Sequence, residues 1–207
     1  MGRIAAPTSV HFAFVNIEGN HLDRIAELLT ELDYRLVGPP ARCTSGAAAI
    51  ALLNEESGTV VRKAAYESNG WTCLIDPEMI VITSDHELTA FAQAHATRIL
   101  VWICESYSDT YGFRLFAPTL QRDLLAAGGE LVTNTGNSLP EERGIDWQRA
   151  GYEEMLTLVQ RFGVAYDRMT ADRPYWVYSV ELSDTPTPEL PSSGQAASRS
   201  RPWWRFW

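Results

Sequence analysis

Residues 59–75 read TVVRKAAYESNGWTCLI, two apolar runs separated by Glu67-Ser68-Asn69-Gly70. Asn-Gly suits the backbone of a tight turn, so the runs at 59–66 and 71–75 are expected to fold back on each other as a hairpin. The pattern recurs downstream. Residues 99–104 and 111–116 read as strands around a polar loop, Ser106-Tyr107-Ser108-Asp109-Thr110. Residues 120–126 and 130–135 form a further pair around Gly128-Gly129, although the first of these runs also fits a helix. Strands joined by short turns pair antiparallel and cannot build a parallel sheet with crossover helices.

The remaining segments fit around this sheet. HFAFVNI at 11–17 supplies a first strand, residues 79–83 a short one, and the aromatic-rich 175–182 a last one. Leu22, Ile25, Ala26, Leu28, Leu29 and Leu32 recur at helical spacing, with Asn20 available as a cap. The Ala-rich stretch 46–53 predicts a short helix. Ser84-Asp85-His86-Glu87 matches a capping box and opens a helix from 85 to about 96, with Leu88, Phe91 and Ala92 inward. Residues 152–162 form an amphipathic helix that buries Met155, Leu156, Val159 and Phe162 and stops at Gly163. The expected class is α+β: an antiparallel sheet built from hairpins, with helices packed mainly on one face.

The chain has 207 residues, 45% of them apolar, which suffices for one domain with a sizeable core. That domain is assigned to residues 1–183. Residues 184–201 are rich in Pro and Ser and read as a linker, and 202–207 form a tail motif. No apolar run is long enough to cross a bilayer, and the first residues lack a signal-peptide core, so a cytoplasmic location is expected. Three separated cysteines, Cys43, Cys73 and Cys104, fit a reducing compartment and small buried side chains.

Charge narrows the partners. The chain carries 26 acidic and 17 basic side chains, a net −9. Three of the basic residues are Arg199, Arg201 and Arg205, so residues 1–197 carry a net −12. Such a surface repels phosphate backbones and attracts basic partners, so no nucleic acid is expected. Lys63 is the single lysine.

Catalytic signatures are missing. There is no phosphate-binding Gly-rich loop and no serine elbow. His11, His21, His86 and His95 form no metal-ligand spacing, so neither a metal nor a cofactor is expected, and no residue is assigned as catalytic. The carboxylate clusters Asp76-Pro77-Glu78 and Glu141-Glu142 read first as turn and helix-cap chemistry, the second because Ser138-Leu139-Pro140-Glu141 matches a capping pattern. The loop at 105–111, ESYSDTY, has the Tyr, Ser and acid content of an adaptable contact surface. The candidate binding residues are therefore Glu105, Tyr107, Asp109, Tyr111, Glu141 and Glu142.

The tail is the sharpest feature. Arg201, Trp203, Trp204, Arg205, Phe206 and Trp207 place four rings and two guanidinium groups beyond the linker. Burying each ring is worth roughly 2–3 kcal/mol, so the rings need a surface to cover them. That surface is a partner, a membrane interface, or the protein's own body or a second copy. The expectation is an anchor that docks outside the linker, with self-docking as its main rival.

The order GWTCLIDPE, a helix after TSD, RILVWICES, YGFRLF and SLPEE resembles that of small bacterial α+β proteins of the immunity-protein type. These belong to toxin–antitoxin-like conflict systems. The resemblance implies a binder that blocks a toxin, and it assigns no residue a role; together with the acidic charge, the expectation is a non-enzymatic inhibitor of a basic toxin. The alternatives are a small enzyme built around Glu105, Asp109 and Glu141, and a peripheral membrane or scaffold protein tethered by its tail.

Overall fold

The computed structural model describes residues 11–55, 58–105, 108–166 and 171–182. They form one open antiparallel sheet flanked by helices. Its strands are β1 (His11–Glu18), β2 (Tyr34–Leu36), β3 (Ala41–Cys43), β4 (Val61–Ser68), β5 (Trp71–Asp76) and β6 (Ile99–Glu105). β7 (Thr110–Phe116), β8 (Leu120–Ala127), β9 (Glu130–Gly136) and β10 (Tyr175–Leu182) complete it. The order across the sheet is β2-β10-β4-β5-β1-β6-β7-β8-β9, with β3 also paired to β10. The helices are α1 (Ile25–Glu31), α2 (Gly46–Leu53), α3 (Asp85–Ala94) and α4 (Tyr152–Arg161).

The α+β class and the antiparallel hairpins are as read from the sequence. Asn69 and Gly70, at φ 51° and 78°, join β4 to β5 directly, as a two-residue turn requires. Residues 120–127 are a strand. The run at 79–83 is instead a 3₁₀ turn, Ile80–Thr83. Asp76 turns the chain there, because its Oδ2 accepts the Val81 N–H at 3.0 Å. Ser84 precedes α3 but does not cap it: its hydroxyl donates to Ile80 O at 3.4 Å, within the preceding turn.

The helices are shared between the two faces rather than gathered mainly on one. Strand residues alternate between faces, and both faces are apolar. Ala13, Val15, Ile17, Val101 and Ile103 pack with Ile25, Leu28 and Leu29 of α1 and Leu88 and Phe91 of α3. Phe14, Leu100, Trp102 and Phe113 pack with Ala49 of α2 and Met155, Leu158 and Val159 of α4. Phe14 and Trp102 stack with ring centroids 4.2 Å apart. All of β5 and β6 is therefore buried. Such strands read as continuous apolar runs, which hide the second covered face from an alternation argument.

β2 and β3 escape sequence reading. Each is three residues long, and together they edge β10 as one strand broken at Gly38-Pro39-Pro40. Proline has no N–H to donate, so it ends pairing at an edge. The opposite edge, β9, is closed by Gly136 at φ 84°. A Cβ there would lie 2.1 Å from Gln121 O and 3.1 Å from Arg122 Cα. Gly70 also has positive φ, but a Cβ on it meets nothing within 4 Å. Gly70→Ala is expected to cost about 1 kcal/mol, from backbone strain alone. Gly136→Ala is expected to cost at least about 3 kcal/mol by forcing β8 and β9 apart, and thermal melts of the two variants side by side check the order.

Candidate functional site

α1 and α3 cover one face only as far as β6 and β7, and beyond them the sheet continues to β9. This step leaves a groove of about 440 Å³. Ile82 and Asp85, where the 3₁₀ turn meets α3, form one wall. Ile103 and Leu125 supply the floor, and Val132 and Thr133 of β9 the other side. At Gly112 the floor is bare backbone, since a Cβ there would sit 2.5 Å from Leu124 O. Val132 is 57% exposed, the most open large apolar residue among those described.

One cation sits among these residues. Arg114 of β7 grips Asp85 through both terminal nitrogens, with Nη2 donating to Oδ2 at 2.7 Å. The same guanidinium donates to Ile82 O at 2.5 Å and, at 3.4 Å, to Asp123 Oδ2 of β8. Burial pushes the Asp123 carboxyl above its ordinary range despite Arg114 beside it. Two acids thus face one guanidinium, and the groove has an apolar floor with an acidic margin.

The residues singled out from the sequence lie elsewhere. Three of them lie on the β6–β7 hairpin, where the register pairs Cys104 with Tyr111 and so sets Glu105 on the opposite face from Tyr111. Glu105 is buried at the end of β6, opposite Thr110 in the strand register. Asp109 turns the loop with φ 50°. Tyr111 is buried, and its phenol is pushed up to about 12, first by burial and then by Cys104 and Asp109 nearby. Glu154 of α4 adds a further negative charge beside that phenol. Tyr107 lies outside the described residues, as do Arg201, Trp203, Trp204, Arg205, Phe206 and Trp207.

Glu141 and Glu142 lie away from that hairpin. They form a 3₁₀ turn, Pro140–Glu142, on the face that carries α4. Glu142 is buried, and its two oxygens accept from Arg122 Nε and Nη2, both at 2.8 Å. The Leu139 N–H adds 2.8 Å and Trp147 Nε1 3.0 Å. The capping contact therefore runs from Leu139 to Glu142, one residue later than the sequence pattern at Ser138 and Glu141 suggests. Glu141 stays at the surface, where its backbone O accepts from Arg161 at 2.7 Å.

The pairings in two further clusters escaped the sequence reading. Arg114 and Asp85 are 29 residues apart, a pairing no local motif announces. The other is Lys63, fully buried, donating to Asp76 and, at 2.8 Å, to Glu78 Oε2. Its Nζ lies 4.5 Å from the centre of the Tyr34 ring. Burial alone would lower the Lys63 pKa, but Asp76, Tyr34 and Glu78 outweigh it and hold it above its ordinary value. A lysine kept protonated is a structural cation and a poor nucleophile. The sequence did mark Asp76-Pro77-Glu78; the signal for its partner was the lone lysine within an apolar strand.

His21 and His95 come together from different elements, rings 6.0 Å apart, and His95 Nε2 lies 3.2 Å from Glu27 Oε1. No cluster of three or more His, Cys, Asp or Glu side chains among the described residues is placed to hold a metal ion. The three cysteines are buried and unbonded to one another. No helix among the described residues is long and apolar enough to cross a membrane. Comparison of the chain with family models, curated proteins and solved structures gives no match.

The Glu142 contacts predict a pH dependence. Burial raises its pKa, yet the Arg122, Leu139 and Trp147 hydrogen bonds outweigh this and hold it below the usual carboxylate range. A depressed carboxylate stabilises the fold above its unfolded value, near 4.3, and loses that contribution as pH falls through the lower folded value. Glu142→Gln is expected to cost about 3–5 kcal/mol at pH 7, because Arg122 is left buried and uncompensated. The gap should narrow as pH falls through and below the ordinary carboxylate range, where the wild-type carboxyl also becomes neutral. Urea unfolding of both proteins across this range checks it; a constant gap would show that the ion pair is not the source.

Proposed function

We propose that this protein is a non-enzymatic binding module, an acidic immunity-type inhibitor acting in the cytoplasm on a basic toxin. Its docking surface is the groove between β9 and the start of α3. The observation that carries the reading is the groove's composition: an apolar floor beside an exposed Val132, with Asp85 and Asp123 around a single guanidinium. That combination suits a partner segment presenting a large apolar side chain next to Arg or Lys. The net −12 of residues 1–197 supports the same choice, since a negative field speeds encounter with a cationic partner.

The lining also favours binding over catalysis. It contains no His, Cys, Ser, Tyr or Lys, and both carboxylates are held by Arg114. A group that moves a proton needs freedom to approach its substrate, and these acids are tied to the scaffold.

The test starts from the partner that the full chain captures in its native cells. Expressed alone, that partner should arrest growth, and co-expression of this protein should restore it. Val132→Arg places a cation in the groove at a residue with little packing to lose, and should weaken the captured complex by about tenfold or more. Association should slow between 50 and 300 mM salt as the field is screened. A partner harmless on its own removes the inhibitor reading. Undiminished binding by Val132→Arg removes the groove.

A further inference from the structure

The groove and the tail are complementary within one chain. We propose that residues 202–207 dock in cis into the groove between β9 and α3, and that the partner must displace them. This inference rests on the groove being the docking surface.

Reach permits it. The described chain leaves the sheet at Leu182, the end of β10. From β10 the order runs through β4, β5, β1, β6 and β7 to β8, six strand spacings, or about 29 Å. The registers place Trp176 of β10 level with Ala65, Leu74, Val15, Val101, Arg114 and Asp123. Leu182 lies six residues beyond that level, about 20 Å along the strand, so the separation is roughly 35 Å. Residues 183–201 span about 65 Å when extended and about 24 Å as a relaxed coil. The tether therefore reaches the groove when drawn out to about half its full extension, at an effective concentration on the order of millimolar.

Charge and shape agree with reach. Arg201 and Arg205 bring cations to a groove whose margin holds Asp85 and Asp123. Trp203, Trp204, Phe206 and Trp207 offer rings to a floor of Ile103 and Leu125. A volume of about 440 Å³ lies in the range that encloses a small ligand, enough for one or two rings rather than four. The occupancy is thus partial and reversible. The same features define the proposed partner segment, so the tail acts as an internal competitor.

The test uses the full-length chain and three variants: Val132→Arg, Arg205→Ser, and a tail variant with Trp203, Trp204, Phe206 and Trp207 each changed to Ala. Hydrogen exchange is read at Thr83, Val132 and Thr133, and tryptic cleavage after Arg199 and Arg205. In the wild type, exchange at the groove should be about fivefold slower than in the tail variant. Cleavage of the tail should be about fivefold faster in Val132→Arg than in the wild type, with sedimentation showing a monomer. The tail variant and Arg205→Ser should also bind the captured partner several-fold tighter.

Equal groove exchange in wild type and tail variant overturns the proposal. Protection that grows with protein concentration, together with a dimer in sedimentation, moves the tail to a second copy and also overturns it. Tail protection that needs vesicles of anionic phospholipid assigns it to a membrane and does the same. In these three cases the groove reading survives if Val132→Arg still weakens the partner. Slow groove exchange that depends on the tail, with partner binding indifferent to Val132→Arg, shows the tail docked and the partner elsewhere; it overturns the groove reading and the displacement step.

Discussion

β1 hydrogen-bonds to β5 on one side and to β6 on the other, and both pairings are antiparallel. β5 and β6 must then run in the same direction with a strand between them, so the chain joining them has to cross the sheet. α3 makes that crossing over one face, and α4 later returns the chain under the other to reach β10. The centre is pinned at both ends of the crossing. Asp76 closes β5 by taking the Val81 N–H and the Lys63 ammonium together. At the far end Arg98, just before β6, clasps Glu18 through two contacts of 2.6 Å. The groove is a by-product of this arrangement: one helix crosses above β1, and the meander β7-β8-β9 extends past its reach.

Charge inside the protein follows a single rule. Lys63 with Asp76, and Arg122 with Glu142, are buried ion pairs whose hydrogen bonds are completed by backbone or by Trp147. Removing either partner would strand a charge away from water, which makes these pairs costly to alter and unsuited to exchange with a ligand. Arg114 with Asp85 and Asp123 is built from the same groups but opens onto solvent, with Asp85 nearly half exposed. The difference between a sealed brace and an open margin here is water access.

The hairpins were legible because their signal is local: an Asn-Gly or Gly-Gly pair between runs of strand formers. α2 and α4 were legible for the same reason, through Ala content and a periodic apolar stripe. What could not be read was the placement of helices on two faces. Fully buried strands such as ILVWICE have no polar alternation to say which side is covered. The 3₁₀ turn at Ile80–Thr83 was hidden because its cause, the Asp76 carboxylate, lies outside its own window. At the candidate site the sequence marked the chemistry of ESYSDTY but not the groove. That groove depends on Arg114 meeting Asp85 and on a glycine at 112, two facts of tertiary packing.

The burial of Lys63 reaches beyond stability. As the only lysine, it is the chain's sole side-chain amine, and the fold seals it beneath Tyr34. Reagents and enzymes that acylate ε-amines, or that conjugate other proteins to them, find no lysine on the surface of the native domain. Acylation of Lys63 requires the sheet to open around β4 and β5. The ε-amine is thus a chemical tag for the unfolded chain alone, and a cell that marks proteins through lysine would see this one chiefly when it has come apart.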